Sequence, residues 1–511
     1  MKFSEMPYSR PDMEALAAAT TQTLEAMKAA PNAAGQIAAY DAYEKKMQTA
    51  GTMQQIAYIR HTINTKDEFY NAENDYMDEI GPKLQELSHR VNTALLESPY
   101  RAELERHYGA LMFKNLEIAA RSFSPAIVEL MQEENKLVSE YQNLYASATV
   151  EFDGKTMPLP LLGPYKQDPD RAVRKAAYEA DAKFFDSHRE ELDTLYDKLV
   201  KVRDAQAKKM GLPNYIPLGY DRMGRNCYTA KDVAAFRDQI AEDMVPIVAK
   251  VKEAQRRRIG VEKLAFYDEP ISFADGNAVP EGTPDEILAA GKKMYQELSP
   301  ETAEFIDFMF ENELFDVLSR DGKAPGGYCT EIADYKSPFI FSNFNATAGD
   351  VDVLTHEAGH AFEAYRAFKQ ELPSLLHSPT IEACECHSMS MEFLTAPWHH
   401  LFFGKHPFGI IEGVKGVACN DRVGVLPCLA EVVTRECLEI EAPADKSRFT
   451  FTQPVYAVLW GVAVYDGDIV SFHVVEVVGG KCRDGGFADT PFLCCECNEC
   501  FITHGSVGFN G

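Results

Sequence analysis

The sequence predicts a mainly α-helical fold, and three observations carry the prediction. Capping residues precede prolines at several points along the chain. Long amphipathic runs lie between those points. Only two short stretches have the pattern of strands.

Taken in order, Ser98-Pro99, Ser124-Pro125, Asp168-Pro169, Thr283-Pro284 and Ser299-Pro300 each pair a capping side chain with a proline suited to the first helical position. Thr283 and Glu286 also have capping-box spacing. The runs Phe69 to Leu96 and Arg171 to Met210 predict long helices with charged outer and apolar inner faces. Val150 to Met157 carries an Asp153-Gly154 turn between short extended arms and predicts a hairpin. Pro338 to Asn345 is apolar, then alternating, and predicts a strand. Asp350 to Lys369 is helical in pattern with Asp350 as its N-cap, and a further helix is expected from Thr380 to about Thr395, before Pro397. After about residue 405, Val, Gly and Cys rise and helical periodicity fades.

Composition narrows the partners. The 511 residues include 51 Lys+Arg against 78 Asp+Glu, a formal net charge of −27, which disfavours nucleic acid and anionic membrane. There is no apolar run long enough for a membrane span and no apolar h-region after Met1, so a cytoplasmic protein is expected. Of 12 cysteines, 8 follow residue 415, and they are read as mostly reduced thiols. The terminal Cys494-Cys495-Glu496-Cys497-Asn498-Glu499-Cys500 lacks the well-spaced partner pair of a structural zinc site.

The chemistry is concentrated in His356-Glu357-Ala358-Gly359-His360. Residues four apart share a helix face, so both histidines can bind one metal ion, with Glu357 placed to take a proton from water. A third protein ligand is needed. Glu382, Glu385 and Glu392 lie roughly on one face of the following helix, and spacing alone does not choose among them. Cys384 and Cys386 point about 100° to either side of Glu385 and are read as packing thiols. His377, His387, His399, His400 and His406 are read as solvated or packed.

Pro338 to Asn345, Asp352 to Phe362 and Thr380 to Phe393 closely resemble the oligoendopeptidase F branch of the thimet-type oligopeptidases, which are zinc metallopeptidases. Gly326-Gly327-Tyr328-Cys329-Thr330 and Leu218 to Met223 extend the resemblance, which covers about residues 1–404. It implies a two-lobed helical metallopeptidase with a deep central channel that admits short peptides, and a small β-element beside the zinc site. It implies one Zn2+ held by His356, His360 and Glu385, the last matching the first Glu of the family's Glu-Ile-His-Ser-Met-Ser-Met-Glu helix. Glu357 would be the catalytic base. Gly326, Gly327, Tyr328, Phe341 and Asn343 would bind substrate, with the strand near Phe339 to Asn345 pairing with peptide backbone. The expected division is an N-terminal helical region, 1–200, and a catalytic region, 201–511.

From about residue 405 the sequence diverges from the family. Matching Pro454 to the family's Pro places Tyr456 on a family Tyr that stabilises the oxyanion, but Phe449 stands where the family has His. Matching Gly485-Gly486-Phe487 instead places Leu493 at the His position. Tyr456 is therefore the catalytic candidate for the oxyanion, and His473 or His504 are alternative donors. The expected activity is zinc-dependent endopeptidase action on unstructured oligopeptides. A catalytically impaired zinc-containing peptide-binding protein and a zinc aminopeptidase stand as alternatives.

Overall fold

The computed structural model describes residues 1–404, together with the backbone of two strands at 473–479 and 500–506. The protein is mainly helical. The first helices are α1 (Met13–Ala29), α2 (Ala33–Ile63), α3 (Glu68–Leu96), α4 (Arg101–Tyr108), α5 (Ala110–Arg121) and α6 (Val128–Ala146). A hairpin of β1 (Thr149–Phe152) and β2 (Lys155–Pro158) follows. Then come α7 (Gly163–Lys166), α8 (Arg171–Ser187), α9 (Arg189–Lys209), α10 (Tyr215–Arg222), α11 (Ala230–Gln239), α12 (Val245–Arg258), α13 (Pro284–Leu298) and α14 (Pro300–Glu311). The strands β3 (Phe315–Leu318), β4 (Tyr328–Ile332) and β5 (Ser337–Phe344) precede α15 (Gly349–Lys369), α16 (Ile381–Thr395) and α17 (His400–Phe403). The last two strands are β6 (His473–Gly479) and β7 (Cys500–Ser506).

Local chemistry accounts for these elements. Thr283 and Ser299 cap α13 and α14 through their side chains, with Pro284 and Pro300 at the first helical positions. Ser124 likewise accepts from the Ala126 N–H ahead of α6. Ser98 and Asp168 differ from expectation. Each bonds the N–H two residues on, at Tyr100 and Asp170, and the helices start later, at Arg101 and Arg171. Short polar side chains stabilise such turns as readily as they cap helices. The run Arg171 to Met210 also divides, at His188, where the Ser187 hydroxyl and the His188 ring both take the Phe184 carbonyl. At the hairpin, Asp153 and Gly154 have φ of 53° and 69°, as the two-residue turn requires.

By internal packing the chain forms two compact units. One comprises Met1–Asn226 and Val279–Thr395; the described part of the other includes Cys227–Ala278 and residues 396–404. Residues 200 and 201 lie together inside α9. The first unit has a core of Tyr40, Tyr43, Val91, Leu95, Met112, Phe113 and Leu116, on which Leu375 and Leu376 also pack. In the second unit a π-helical turn, Ile240–Met244, joins α11 to α12.

The sheet that serves the site belongs to the first unit. Its order is β3-β5-β4, with β5 parallel to β3 and antiparallel to β4. Buried Lys323 bonds Asp316 Oδ1 at 2.6 Å and the Leu318 carbonyl at 2.9 Å, and lies 4.3 Å from the centre of the Phe341 ring. This contact holds β3 against β5. Among the described residues β5 is the inner strand, so its backbone groups are already paired. The expectation that Phe339 to Asn345 offers an edge to peptide is corrected: among the described residues β3 and β4 are the edge strands, and Gly327, just before β4, lies beside Glu357.

Candidate metal centre

The chain leaves β5 and turns into α15 through Asn345 and Ala346. Asp350 does not cap this helix from outside, as the sequence suggests. It sits in the first turn, and its carboxylate accepts from the Asn345 and Ala346 N–H groups, each at 2.8 Å. That fixes the start of α15 relative to β5. One and a half to three turns later the helix presents His356 and His360, whose ring centroids are 5.0 Å apart.

The approach of α16 depends on Gly359. A Cβ built there would lie 2.5 Å from Ser388 Cα and 3.0 Å from the His387 carbonyl oxygen. Only glycine allows the two helix backbones this close. The contact brings Glu385 beside the histidines: its Oε2 lies 3.2 Å from His356 Nε2 and 3.9 Å from His360 Nε2. One donor atom from each of the three lies within 4.8 Å of the others, the one such group of histidine, cysteine or acidic residues among the described residues. Two ligands of a tetrahedral zinc, each about 2.1 Å from the ion, stand about 3.4 Å apart. The donor set and its spacing therefore fit Zn2+.

The other two acids on α16 have different positions. Glu392 accepts from His356 Nδ1 at 2.6 Å, on the opposite edge of the ring from Glu385. This contact turns Nε2 toward Glu385 and raises the His356 pKa. Glu382 is turned away and receives Arg225, at 3.0 Å from Nε and 2.7 Å from Nη2. The Glu385–Glu392 spacing of seven is the signal that could have assigned Glu392, since residues two turns apart can straddle one ring.

Glu357 is buried, and burial pushes its carboxyl up to about 7, opposed by His356 and assisted by the Glu385 charge. His360 is lowered, chiefly by burial. The nearest stretch of sheet is the start of β4. Gly326 and Gly327 are exposed, and a Cβ on Gly327 would lie 3.5 Å from Glu357 Oε1. Tyr328 stacks on Phe341 across the strand pair, with centroids 4.7 Å apart and planes 7° from parallel. Phe341 is fully buried, so its side chain supports Tyr328 and does not face a ligand. Asn343 donates to the Ala324 and Gly326 carbonyls at 2.8 and 2.9 Å, holding the loop that enters β4. Tyr456 and His406 lie outside the described residues, as do the side chains of His473, His504 and the terminal cysteine run. Cys227, Cys329, Cys384 and Cys386 form no disulfide.

Residues 3–123 match the peptidase M3 N-terminal domain, and residues 164–281 and 287–407 match peptidase family M3. The solved structure of PZ peptidase A with an inhibitor is 50% identical, with a TM-score of 0.78 over 80% of this chain and 72% of that one. The chain belongs to peptidase family M3. Its place within the family is the oligoendopeptidase F branch. A structure assigned as oligoendopeptidase F from Bacillus anthracis is 45% identical, with a TM-score of 0.79 over 81% of this chain and 76% of that one. An oligoendopeptidase F homolog of Mycoplasma pneumoniae is 24% identical over 259 residues, 48% of this chain and 40% of that protein. The match thus spans well under half the length of the curated relatives. The M3 match ends at residue 407, close to where the sequence diverges from the branch. Among the described residues, no helix of this M3 chain is long and apolar enough to cross a membrane.

Proposed function

We propose that this M3 chain is a zinc-dependent endopeptidase that hydrolyses short, unstructured oligopeptides. The observation that carries the reading is the convergence of His356, His360 and Glu385 beside buried Glu357. Zn2+ held by those three side chains would supply Lewis acidity, polarising the scissile carbonyl and making a water molecule easier to deprotonate. Glu357 accepts the proton from that water and returns it to the leaving amine. Glu392 holds the His356 ring in one orientation through Nδ1.

The outer edge of β4 supports an extended peptide as the substrate. Backbone pairing along the edge that runs from Gly327 into Tyr328 grips a chain without demanding particular side chains; Gly326 makes the turn into it, and Gly327 brings that edge next to Glu357. Phe341 and Asn343 act from behind, by stacking under Tyr328 and holding the loop at Gly326. A folded protein has its backbone already paired and cannot add to this edge. Tyr456 is retained, from the family resemblance, as the donor to the oxyanion. The names of the structural relatives agree with an endopeptidase.

A second reading, an impaired peptide-binding form, is favoured by one observation: neither alignment of the divergent C-terminal region recovers the family His. Glu357→Gln tests the first reading. It should abolish cleavage of a quenched peptide while zinc stays bound one to one, since the amide keeps the shape but takes no proton. Peptides blocked at the N-terminus should be cleaved as well as free ones, which an aminopeptidase cannot do. Cleavage that survives complete removal of zinc would overturn the reading.

A further inference from the structure

Glu385 reaches the histidines from the first half of α16, so its position depends on how that end of the helix is held. The first turn of α16 and the connection that leads into it, residues 370–380, are each anchored by a residue that follows α10, the first directly and the second through Asn115. Arg225 directs Nε and Nη2 at the same Glu382 oxygen, at 3.0 and 2.7 Å. Its guanidinium lies 4.5 Å from the centre of the Tyr220 ring, which limits its swing. Asn226 donates to Asn115 Oδ1 at 2.9 Å, and Asn115 Nδ2 donates in turn to the Leu375 carbonyl at 3.2 Å. The Arg225 and Glu382 side chains are only 14% and 19% exposed, so the pair is far less screened than the surface ion pairs.

Glu382 and Glu385 are one helical turn apart, and a side chain fixed at the first sets both the rotation and the advance of the second. We propose that Arg225 is a positioning residue for the third metal ligand: by clamping Glu382 it fixes the first turn of α16 and so the reach of Glu385 to His356 and His360. The inference rests on the reading that these three side chains bind zinc. It assigns Arg225 no contact with metal or substrate. The same arrangement explains why the acid three residues before Glu385 is not a ligand, since its carboxylate is already committed to Arg225.

The test uses the full chain and Zn2+ alone, with affinity measured by competition against a chelator. A second reading is the visible absorption of the Co2+-loaded protein, which reports coordination geometry. Arg225→Ala should lower zinc affinity about 10- to 100-fold, the range found when a group that orients a metal ligand is removed. It should also alter the cobalt spectrum. Arg225→Lys, which keeps the charge but loses the fork, should recover part of the affinity. Glu382→Gln keeps the side-chain volume, guards against misfolding of the alanine variant, and should shift affinity in the same direction by less. Arg203→Ala is the control. It breaks a different pair, with Glu134 at 2.6 Å, and should lower thermal stability with zinc affinity unchanged. Unchanged zinc affinity and an unchanged cobalt spectrum in folded Arg225→Ala or Glu382→Gln would overturn the proposal and leave the metal reading standing. A wild-type chain that binds no zinc would remove both.

Discussion

Gly359 and Ser388 mark the point where the helix of His356 and His360 touches the helix of Glu385: a Cβ on the glycine would lie 2.5 Å from the serine Cα. The obstacle is backbone, so no side-chain rotation relieves it. Gly359→Ala gains about 1 kcal/mol in helix propensity but overpacks the contact at a cost of about 1–3 kcal/mol, and α16 must move outward. The expected result is a loss of zinc affinity with all three ligands still present. Metal titration of the folded variant checks it, and wild-type affinity would mean that α15 and α16 are spaced more widely than described.

The acids of α16 should rank by their contacts. Glu385→Ala removes the proposed third ligand and should be the most damaging to zinc binding. Glu392→Ala frees the His356 ring to rotate and should cost about 10- to 100-fold in affinity. Chelator competition on the two variants gives the order directly, and a larger loss at Glu392 would reassign the ligand.

Glu363, one turn beyond His360, gives a pH signature. Burial, with Glu331 adding to it and His377 opposing, pushes its carboxyl up to about 7. The folded protein therefore keeps a proton that the unfolded chain releases from about pH 4.5. More protons are bound in the folded state over that window, so this contribution is present below pH 4.5 and is lost as pH rises through 7. It amounts to about 3 kcal/mol at most. Thermal melts from pH 4.5 to 8 should show wild-type stability falling relative to Glu363→Gln. Parallel curves would show that Glu363 is ionised in the fold throughout.

The divergent C-terminal region should appear in the maximal rate. On the proposed reading, water activation needs Glu357 with His356, His360 and Glu385, all present in this chain. The oxyanion needs a donor where the family has His, and loss of one such donor costs about 10²–10³ in turnover. The deficit belongs to the transition state, so it should lower kcat and leave KM nearly unchanged. Steady-state kinetics beside a relative with the intact His-Tyr segment measures it. Equal maximal rates would mean that another donor fills the position.

Much of this protein was determined by local sequence. Thr283-Pro284 and Ser299-Pro300 fix two helix starts, Asp153-Gly154 fixes the hairpin turn, and the four-residue spacing of His356 and His360 fixes their common face, because each depends only on neighbours within a turn or two. Ser98, Asp168 and the break at His188 show where such local signals form turns instead. Three features were decided by tertiary structure. Glu382, Glu385 and Glu392 share one helix face, and only the approach of α16 across Gly359, with Arg225 taking the first and the His356 Nδ1 edge taking the last, leaves Glu385 facing both Nε2 atoms. Phe339 to Asn345 was legible as a strand, but its inner place between β3 and β4 was not, because pairing partners are set by contacts distant in sequence. Gly359 reads in the sequence as an ordinary helical residue; it becomes the residue that sets the width of the candidate metal site only when a second helix backbone arrives within a Cβ's breadth of it.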